Sequence, residues 1–369
     1  MTNITNDTMG IDWEFTLDTI REGKCILFLG PEVFTSSEGK KLDEAMLDFL
    51  QFPNNPDILN HYPEEDLFLF KNKGAQTKSY YKIKNFYQQS FPEAEKILEK
   101  IAQIPFQFII SMTPDNKLTK VYEKLNFKSK SDFYWRNHSS TTKAKLPSKD
   151  SPLVYNLFGT TELQESMVLS HDDLFDFFNS IFGARSIPKE LKHVIQKAHN
   201  LVFLGIPFHK WYLQLLLRIL SLHVDSDFMR YAANQSVDEK MAALVGEQFS
   251  IKFLPENVSG FIDELYKKCE EEGILKEASV GKKSIYDMVV ELVTKDRIDE
   301  ALVRVKDFLE SIGDYGLDLL DDIILLTNRH KRLQKRMTQG ILDFSDAEVE
   351  TNKVRKSLLD LLNEVKTLE

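Results

Sequence analysis

The sequence predicts an α/β domain built on a parallel sheet, followed by an all-α domain of four helices. Through residue 275, apolar runs of strand length alternate with helix-like segments, which is typical of a parallel sheet with helices on both faces. Beyond the charged stretch at 273–283 no strand-like run occurs, and the remaining segments have helical periodicity. We therefore divide the chain into an α/β domain at 1–275, a linker at 276–283 and a helical domain at 284–369.

Five apolar runs are predicted to form the strands of the sheet. They lie at Cys25–Leu29, Phe106–Ile110, Leu153–Leu157, Leu201–Leu204 and Phe249–Leu254. The helices predicted between them lie at Glu93–Ala102, Asp172–Ile181, Pro188–Ala198 and Lys210–Leu222. A basic, tyrosine-rich stretch at 71–89 and a Ser/Thr/Lys-rich loop at 128–151 interrupt the alternation, and a loop of the latter length is usually either mobile or functional.

The helical domain is predicted as four helices, at Ser284–Lys295, Arg297–Ser311, Leu317–Gln339 and Ser345–Leu368. A serine followed three residues later by a carboxylate marks the start of the first and the last helix, because this is the spacing of a capping box. These pairs are Ser284 with Asp287 and Ser345 with Glu348, and Gly340 is the predicted stop of the third helix. The last helix has one apolar face, so we expect the four helices to pack as a bundle.

Composition restricts the classes of protein to be considered. A hydrophobic share of 42% is ample for a packed core, and the net charge of -10 argues against general nucleic-acid binding, which needs a cationic surface. The N-terminus lacks the features of a signal peptide, and the most apolar stretch, Trp211–Leu222, is too short to span a bilayer. The two cysteines, Cys25 and Cys269, cannot make a disulfide framework. We expect a cytoplasmic protein that binds neither membranes nor nucleic acids.

Four of the predicted strands end in short motifs that contain glycine or polar residues. In chain order these are Gly30-Pro31-Glu32, Ser111-Met112-Thr113-Pro114-Asp115, Phe158-Gly159 and Gly205-Ile206-Pro207. In open parallel sheets, ligands bind beyond the carboxyl ends of the strands. Taken together, the four motifs resemble the nucleotide pocket of the sirtuin-like family, over roughly residues 12–272. The resemblance implies a Rossmann-like sheet and a pocket for NAD or ADP-ribose, and no residues with metal-ligand spacing accompany it.

The first motif departs from the family's Gly-Ala-Gly phosphate loop. Gly30 matches, but Pro31 lacks a backbone N–H and Glu32 stands in the place of the second glycine. A carboxylate about 4 Å from a phosphate oxygen costs roughly 4 kcal/mol at an effective dielectric constant near 20, so Glu32 must turn away if a phosphate binds here. Two alternatives are a carboxylate that accepts hydrogen bonds from a ribose, and a plain strand-to-helix turn.

The second and third motifs lack the residues that the family uses in catalysis. Aligned on Asp115, Ser111 takes the place of a threonine, and Thr113 that of the asparagine that orients the attacking water in active members. Asp115 is retained, although a helix cap explains it equally well. Phe158 replaces the histidine that is central to catalysis, and Gly159 after it is retained. A phenylalanine ring has no proton to exchange.

The fourth motif keeps Gly205, but Lys210 stands where the family usually has an aspartate. We expect Trp211, the next residue, to lie in the core more readily than to stack on a cofactor. His171 falls in the first turn of a predicted helix, and we do not expect it to replace the missing histidine.

The helical domain resembles the effector-associated domains of bacterial conflict and phage-defence proteins. The matching features are Asp299-Glu300-Ala301-Leu302, Asn328-Arg329, Met337-Thr338-Gln339-Gly340 and Ser345-Asp346-Ala347-Glu348. The resemblance implies an adaptor, residues 284–369, that pairs with a similar domain on another protein. The alternative is a helical cap or dimerisation bundle packed on the first domain. The charged stretch Arg329–Arg336 favours the adaptor, because it is suited to solvent or to a partner.

Three functions remain open from the sequence. The departures at Glu32, Thr113 and Phe158 favour a catalytically degenerate sirtuin-like module, a pseudoenzyme of an anti-phage or conflict system that binds a nucleotide or acts as a scaffold. Its helical adaptor would recruit a protein partner. The first alternative is an active NAD-hydrolysing effector with substituted catalytic residues. The second is a structural, filament-forming protein, and it is compatible with the homo-oligomer that sirtuin-like defence domains often form.

Overall fold

The computed structural model describes residues 10–34, 39–137, 144–183, 185–220, 222, 229–234, 238–276, 285–311 and 317–365. The chain forms two compact units, Met1–Ala278 and Ser279–Glu369, and each is described by itself. The first unit is an α/β domain and the second is helical.

The first unit contains nine strands and ten helices among these residues. The strands are β1 (Cys25–Leu29), β2 (Ile58–Tyr62), β3 (Leu67–Phe70), β4 (Phe108–Ser111), β5 (Lys130–Phe133), β6 (Leu153–Asn156), β7 (Asn200–Leu204), β8 (Met229–Ala233) and β9 (Lys252–Phe253). The helices are α1 (Trp13–Arg21), α2 (Leu42–Phe49), α3 (Lys73–Tyr87), α4 (Pro92–Gln103), α5 (Lys117–Lys124), α6 (His171–Phe182), α7 (Lys189–Gln196), α8 (Trp211–Ile219), α9 (Glu239–Phe249) and α10 (Val258–Glu271).

Seven of the strands form one parallel sheet in the order β5-β6-β4-β1-β7-β8-β9, and β2 and β3 form a separate antiparallel hairpin. The strand order reverses at β1, because the chain continues from β1 to β4 on one side and returns later to β7 on the other. Leu29 at the end of β1 is in register with Ser111 of β4 and with Leu204 of β7. In such sheets the crevice at the reversal is the usual ligand site.

Helices cover both faces of the sheet, as the continuous apolar strands predict. In β1, Leu27 and Leu29 belong to one core, which also contains residues of α1, α4 and α10. Ile26 and Phe28 alternate with them and belong to a second core, shared with α6, α7 and α8. All five residues of β1 and of β7 are buried, so the centre of the sheet is rigidly enclosed.

Four predicted strands correspond to β1, β4, β6 and β7, but the prediction of a strand at Phe249–Leu254 is wrong for most of its length. Phe249 is the last residue of α9, Ser250 has a left-handed backbone with φ of 53°, and only Lys252–Phe253 is a strand. The apolar run joins the buried face of a helix, Val245 and Phe249, to a short strand, and a run of that kind has no distinct periodicity. The sequence analysis also missed β2, β3, β5 and β8.

The second unit contains four helices among its described residues: α11 (Ile285–Thr294), α12 (Ile298–Ser311), α13 (Leu317–Thr338) and α14 (Phe344–Val365). They enclose one core, to which each helix contributes, for example through Val289, Val305, Ile323 and Leu358. Gly340 follows α13 with φ of +67°, as expected for a helix stop. Ser284 and the side chain of Ser345 lie outside the described residues, so the two predicted capping boxes stay predictions.

Within the part of the chain that is described, no helix is both long and apolar enough to cross a membrane.

The carboxyl ends of β1 and β7 approach each other so closely that both positions require glycine. A Cβ atom on Gly30 would lie 2.1 Å from the carbonyl oxygen of Gly205, and one on Gly205 would lie 2.9 Å from the backbone nitrogen of Val33. Gly205 also has φ of +62°, which side chains disfavour. This contact fixes the rim of the crevice at the strand-order reversal.

We expect Gly205→Ala to destabilise the first unit more than Gly273→Ala does. Both glycines have φ of +62°, but a Cβ on Gly273 would meet nothing within 4 Å. The left-handed backbone alone costs about 1–2 kcal/mol, and the clash at Gly205 adds to it, for a loss of about 3 kcal/mol or more. Urea unfolding of the two variants measures the difference. Equal decreases in the free energy of unfolding of the two variants would show that the close approach of β1 and β7 does not restrict position 205.

Candidate functional site

A cavity of about 100 Å³ lies beyond the carboxyl ends of the central strands. Pro31 after β1, Thr113 after β4, Phe158 after β6 and Pro207 after β7 all line it. Lys210 and Tyr212 at the start of α8, Tyr87 at the end of α3 and Glu65–Phe68 of the β2–β3 hairpin form the remaining polar and aromatic wall. Pockets for drug-sized ligands usually measure about 300–1,000 Å³, so the crevice is present but largely closed.

The nine residues predicted for the site lie at these strand ends, but only three of them line the cavity. Pro31, Thr113 and Phe158 do so. The other six are not part of the lining: Gly30, Glu32, Ser111, Asp115, Gly159 and Gly205. The role of each in ligand binding stays a prediction.

Glu32 turns away from the cavity. Its carboxylate accepts a hydrogen bond of 3.1 Å from Nδ2 of Asn234, which follows β8, and the same Nδ2 donates to the carbonyl oxygen of Ile206. Pro31 begins a single 3-10 turn, Pro31–Val33, after the strand. The carboxylate is therefore held at the end of β8, and the charge repulsion expected from the sequence is moved away from the crevice.

The polar groups after β4 bond mainly to one another. The hydroxyls of Ser111 and Thr113 lie 3.1 Å apart, and the backbone N–H of Thr113 donates to Oγ of Ser111. Oδ1 of Asp115 accepts a hydrogen bond of 2.8 Å from the backbone N–H of Lys117, the first residue of α5. This bond, to the residue two positions on, forms an Asx turn immediately before the helix, whose N-cap residue is Asn116. Oδ2 of Asp115 is buried and has no hydrogen-bond partner in the described structure.

Phe158 forms part of an aromatic wall. Its ring centroid lies 5.1 Å from that of Phe177 in α6 and 5.8 Å from that of Tyr212 in α8, the latter at an interplanar angle of 89°. Edge-to-face contacts of this kind stabilise aromatic pairs. Gly159 has φ of +85°, and a Cβ there would lie 2.2 Å from the carbonyl oxygen of Ser166, so its retention has a structural cause. Phe158 is thus held by aromatic packing, and its correspondence to a catalytic histidine stays a prediction.

A charged cluster, which the sequence analysis did not predict, lies at the hairpin side of the cavity. Nε2 of His61 is 3.0 Å from Oδ1 of Asp66, and Nζ of Lys210 is 3.8 Å from Oδ2 of the same carboxylate. Burial by itself would raise the pKa of Asp66. The hydrogen bond from His61 and the charge of Lys210 outweigh burial and hold the pKa of Asp66 below its ordinary value.

The turn of the hairpin is docked over the crevice by several hydrogen bonds. The hydroxyl of Tyr212 donates to the carbonyl oxygen of Glu65, and Nε1 of Trp211 donates to its carboxylate. The backbone N–H of Phe68 donates to the carbonyl oxygen of Leu169 at 2.8 Å. A signal for this element exists in the sequence, since Pro63 and three acidic residues separate two strand-like runs, as in a hairpin turn.

The remaining polar side chains predicted or found near the cavity include two tyrosines of its lining. Burial raises the pKa of Tyr87, and nearby carboxylates raise it further; burial likewise raises the pKa of Tyr212. His171 begins α6 and packs edge-on against Tyr62 of the hairpin, outside the cavity lining. Trp211 is 45% exposed and stacks on Phe178, so the expectation that it lies in the core is wrong. Among the residues described, no group of three His, Cys, Asp or Glu side chains is placed to hold a metal ion.

Comparison with known proteins identifies both parts of the chain. Residues 115–245 match the family described as SIR2-like domain, and residues 284–366 match the family described as Effector-associated domain 11. A Roc-COR-CHAT protease from an unknown prokaryotic organism is 32% identical over 83 residues, which are 22% of this chain and 7% of that protein. The chain thus spans only a small part of this relative's length. It joins a SIR2-like domain to a C-terminal effector-associated domain.

We expect Asp66→Asn to destabilise the protein at neutral pH and to matter less in acid. The pKa of Asp66 is lowered on folding, so its stabilising contribution is complete above the unfolded value of about 4 and is lost as the pH falls through the lowered value. Because the change leaves Lys210 without a carboxylate, we expect a loss of about 1–3 kcal/mol at pH 7. Urea unfolding between pH 3 and 7 measures it.

Asp176→Asn is the matched control, because Asp176 is an exposed carboxylate on α6. If the difference in the free energy of unfolding between the wild type and Asp66→Asn stayed constant with pH, the ion pair would not stabilise the fold.

Proposed function

We propose that this chain is a catalytically degenerate SIR2-like module that binds a nucleotide or acts as a scaffold. It recruits a protein partner through its effector-associated domain, as a component of a bacterial anti-phage or other conflict system. The observation that carries the proposal is the packing of Phe158 between Phe177 and Tyr212, where the resemblance calls for a histidine.

The chemistry supports the loss of catalysis. A general acid or base contributes about 100- to 10,000-fold to a rate, and Phe158 supplies neither. The asparagine that orients water in active members is replaced by Thr113, whose hydroxyl is 3.1 Å from that of Ser111 and is engaged there. Two steps of the reaction, activation and positioning of water, therefore lack their side chains in this crevice.

The proposed ligand is NAD or ADP-ribose, bound without a metal ion. SIR2-like domains typically bind NAD, and the crevice lies at the strand-order reversal where nucleotides bind in such sheets. The cavity volume of about 100 Å³ is too small for a dinucleotide, so binding requires the β2–β3 hairpin to move. This requirement suits a sensor, in which ligand occupancy is coupled to a change of conformation.

The proposed partner is a protein that carries a similar effector-associated domain. Such a domain suggests a protein–protein adaptor. The segment shared with the Roc-COR-CHAT protease is 83 residues long, and residues 284–366 also number 83, so we infer that the likeness lies in this domain. An effector such as a protease, attached to a similar domain, is therefore the class of partner we propose. Homo-oligomers of the chain are part of the same proposal.

The second half of α13 offers a surface for that pairing. Lys331, Arg332, Lys335 and Arg336 are all exposed on this helix. The side-chain hydrogen bonds and ion pairs found for the described residues of this stretch involve Arg329, His330 and Gln334 rather than these four. A basic surface steers an acidic partner during encounter and fixes its orientation.

We expect the purified full-length chain to leave NAD intact, because Phe158 and Thr113 cannot activate or orient water. Chromatography of NAD and its products over several hours measures this. Consumption of NAD at a rate that Asp115→Ala abolishes would identify an active NAD-hydrolysing effector and contradict the proposal. In the Thr113→Asn, Phe158→His double variant, we expect measurable hydrolysis if the rest of the pocket still accepts NAD.

We expect the double variant Lys335→Glu, Arg336→Glu to lose capture of a partner that bears an effector-associated domain, with a decrease of about tenfold or more in affinity. The matched control is Lys189→Glu, Lys197→Glu, which reverses two exposed charges on or beside α7 of the first unit. The partner is taken from the genes that flank this one, and co-purification followed by calorimetry gives the affinities. Equal binding by both variants would exclude this surface.

A further inference from the structure

Lys210 is a largely buried cation on the wall of the cavity, and its one ion pair, with Asp66, is long. Its side chain is 8% exposed, and it lines the cavity at the strand-order reversal. The nearest carboxylate oxygen, Oδ2 of Asp66, is 3.8 Å from Nζ, which is an ion pair and not a hydrogen bond. For the described residues, the structure shows no hydrogen-bond acceptor on this ammonium group. An ammonium has three donors, and Nζ is not among the fully buried atoms without a partner, so it is accessible from the cavity that Lys210 lines.

The position of Lys210 at the start of a helix also favours an anion beside it. It is the residue that caps the N-terminus of α8, and the first turn of that helix contains no acidic residue. A helix N-terminus carries partial positive charge, which disfavours a lysine and attracts an anion. The ammonium and the helix end therefore act together on any anion that enters the cavity.

We propose that Lys210 binds a phosphate group of a small ligand. When the ligand is absent, the carboxylate of Asp66 pairs with Lys210 instead, so the carboxylate and the phosphate compete for the same ammonium group. This inference rests on the proposed function, which places the ligand in the SIR2-like crevice. It adds that Lys210 binds the ligand and that the carboxylate of Asp66 must move away from Lys210.

The size of the cavity supports an exchange. A water molecule takes about 30 Å³ of the liquid, so about 100 Å³ accommodates a group on the scale of one phosphate and no nucleoside beside it. Asp66 ends the turn between β2 and β3, with φ of +61°. Displacement of this turn moves Asp66 and Glu65 together, which removes negative charge and opens the crevice in one motion.

Calorimetry with the full-length chain tests the exchange, with inorganic phosphate and ADP-ribose as probes. Asp66→Asn removes the competing charge, keeps the size of the side chain and tolerates the left-handed backbone. We expect it to tighten binding of both probes by about tenfold or more relative to the wild type. Lys210→Gln should lose binding of both, also in combination with Asp66→Asn. The controls Asp176→Asn and Lys189→Gln change exposed residues and should bind as the wild type does.

A second measurement is independent of affinity. Hydrogen exchange should show faster exchange at the backbone N–H of Phe68, which bonds to Leu169, when ADP-ribose is added to the wild type. A ligand that bound without displacing the turn would leave this N–H unchanged or more protected, and that result would overturn the exchange.

The outcomes separate this inference from the proposed function. Binding of ADP-ribose that is unaffected by Lys210→Gln or by Asp66→Asn would overturn the inference and leave a nucleotide-binding module intact. Tighter binding of inorganic phosphate by Asp66→Asn, without any binding of ADP-ribose, would support the inference and contradict the nucleotide ligand. If no variant bound either probe, Asp66 would be a permanent structural partner of Lys210 and the inference would be wrong.

Discussion

The approach of β1 and β7 at their carboxyl ends is the constraint on which the first unit depends. The main chains meet at Gly30 and Gly205, where neither position has room for a Cβ atom. Because β1 is the strand at which the order of the sheet reverses, this contact also sets the rim of the crevice. A proline follows each of these glycines within two residues, and both prolines, Pro31 and Pro207, line the cavity. The same contact therefore joins two central strands at their carboxyl ends and shapes the cavity there.

The crevice is lined largely by apolar side chains, and its charged groups are paired with one another. Lys210 enters it from the start of α8 at a position where a helix disfavours a cation. Asp66 supplies the balance from a different element, and His61 holds the carboxylate in its charged form. Asp66 and Lys210 are thus coupled: removal of Asp66 leaves Lys210, whose side chain is 8% exposed, without its carboxylate, whereas removal of Lys210 leaves Asp66 with His61 alone.

The sequence predicts the elements whose signals are local. The strands β1, β4, β6 and β7 are continuous apolar runs. The departure of Phe158 from the sirtuin-like pattern is visible in the sequence because recognisable motifs precede and follow it. The ion pair between Asp66 and Lys210 was not predictable in this way, because only the fold brings the hairpin to the start of α8. The structural need for glycine at position 30 could not be predicted either, because Gly205, which leaves no room for a Cβ atom there, is distant in the sequence. The sequence alone suggested a phosphate contact at Gly30.

The packing of Phe158 and the position of the hairpin turn are parts of one arrangement. The ring of Phe158 packs on Tyr212, and the hydroxyl of Tyr212 donates to the carbonyl oxygen of Glu65 in the hairpin turn. A histidine at position 158 would replace an apolar ring by a polar one in the contacts with Phe177 and Tyr212. The apolar ring packs on the tyrosine that bonds to the hairpin turn, so residue 158 and the position of the hairpin are linked through Tyr212.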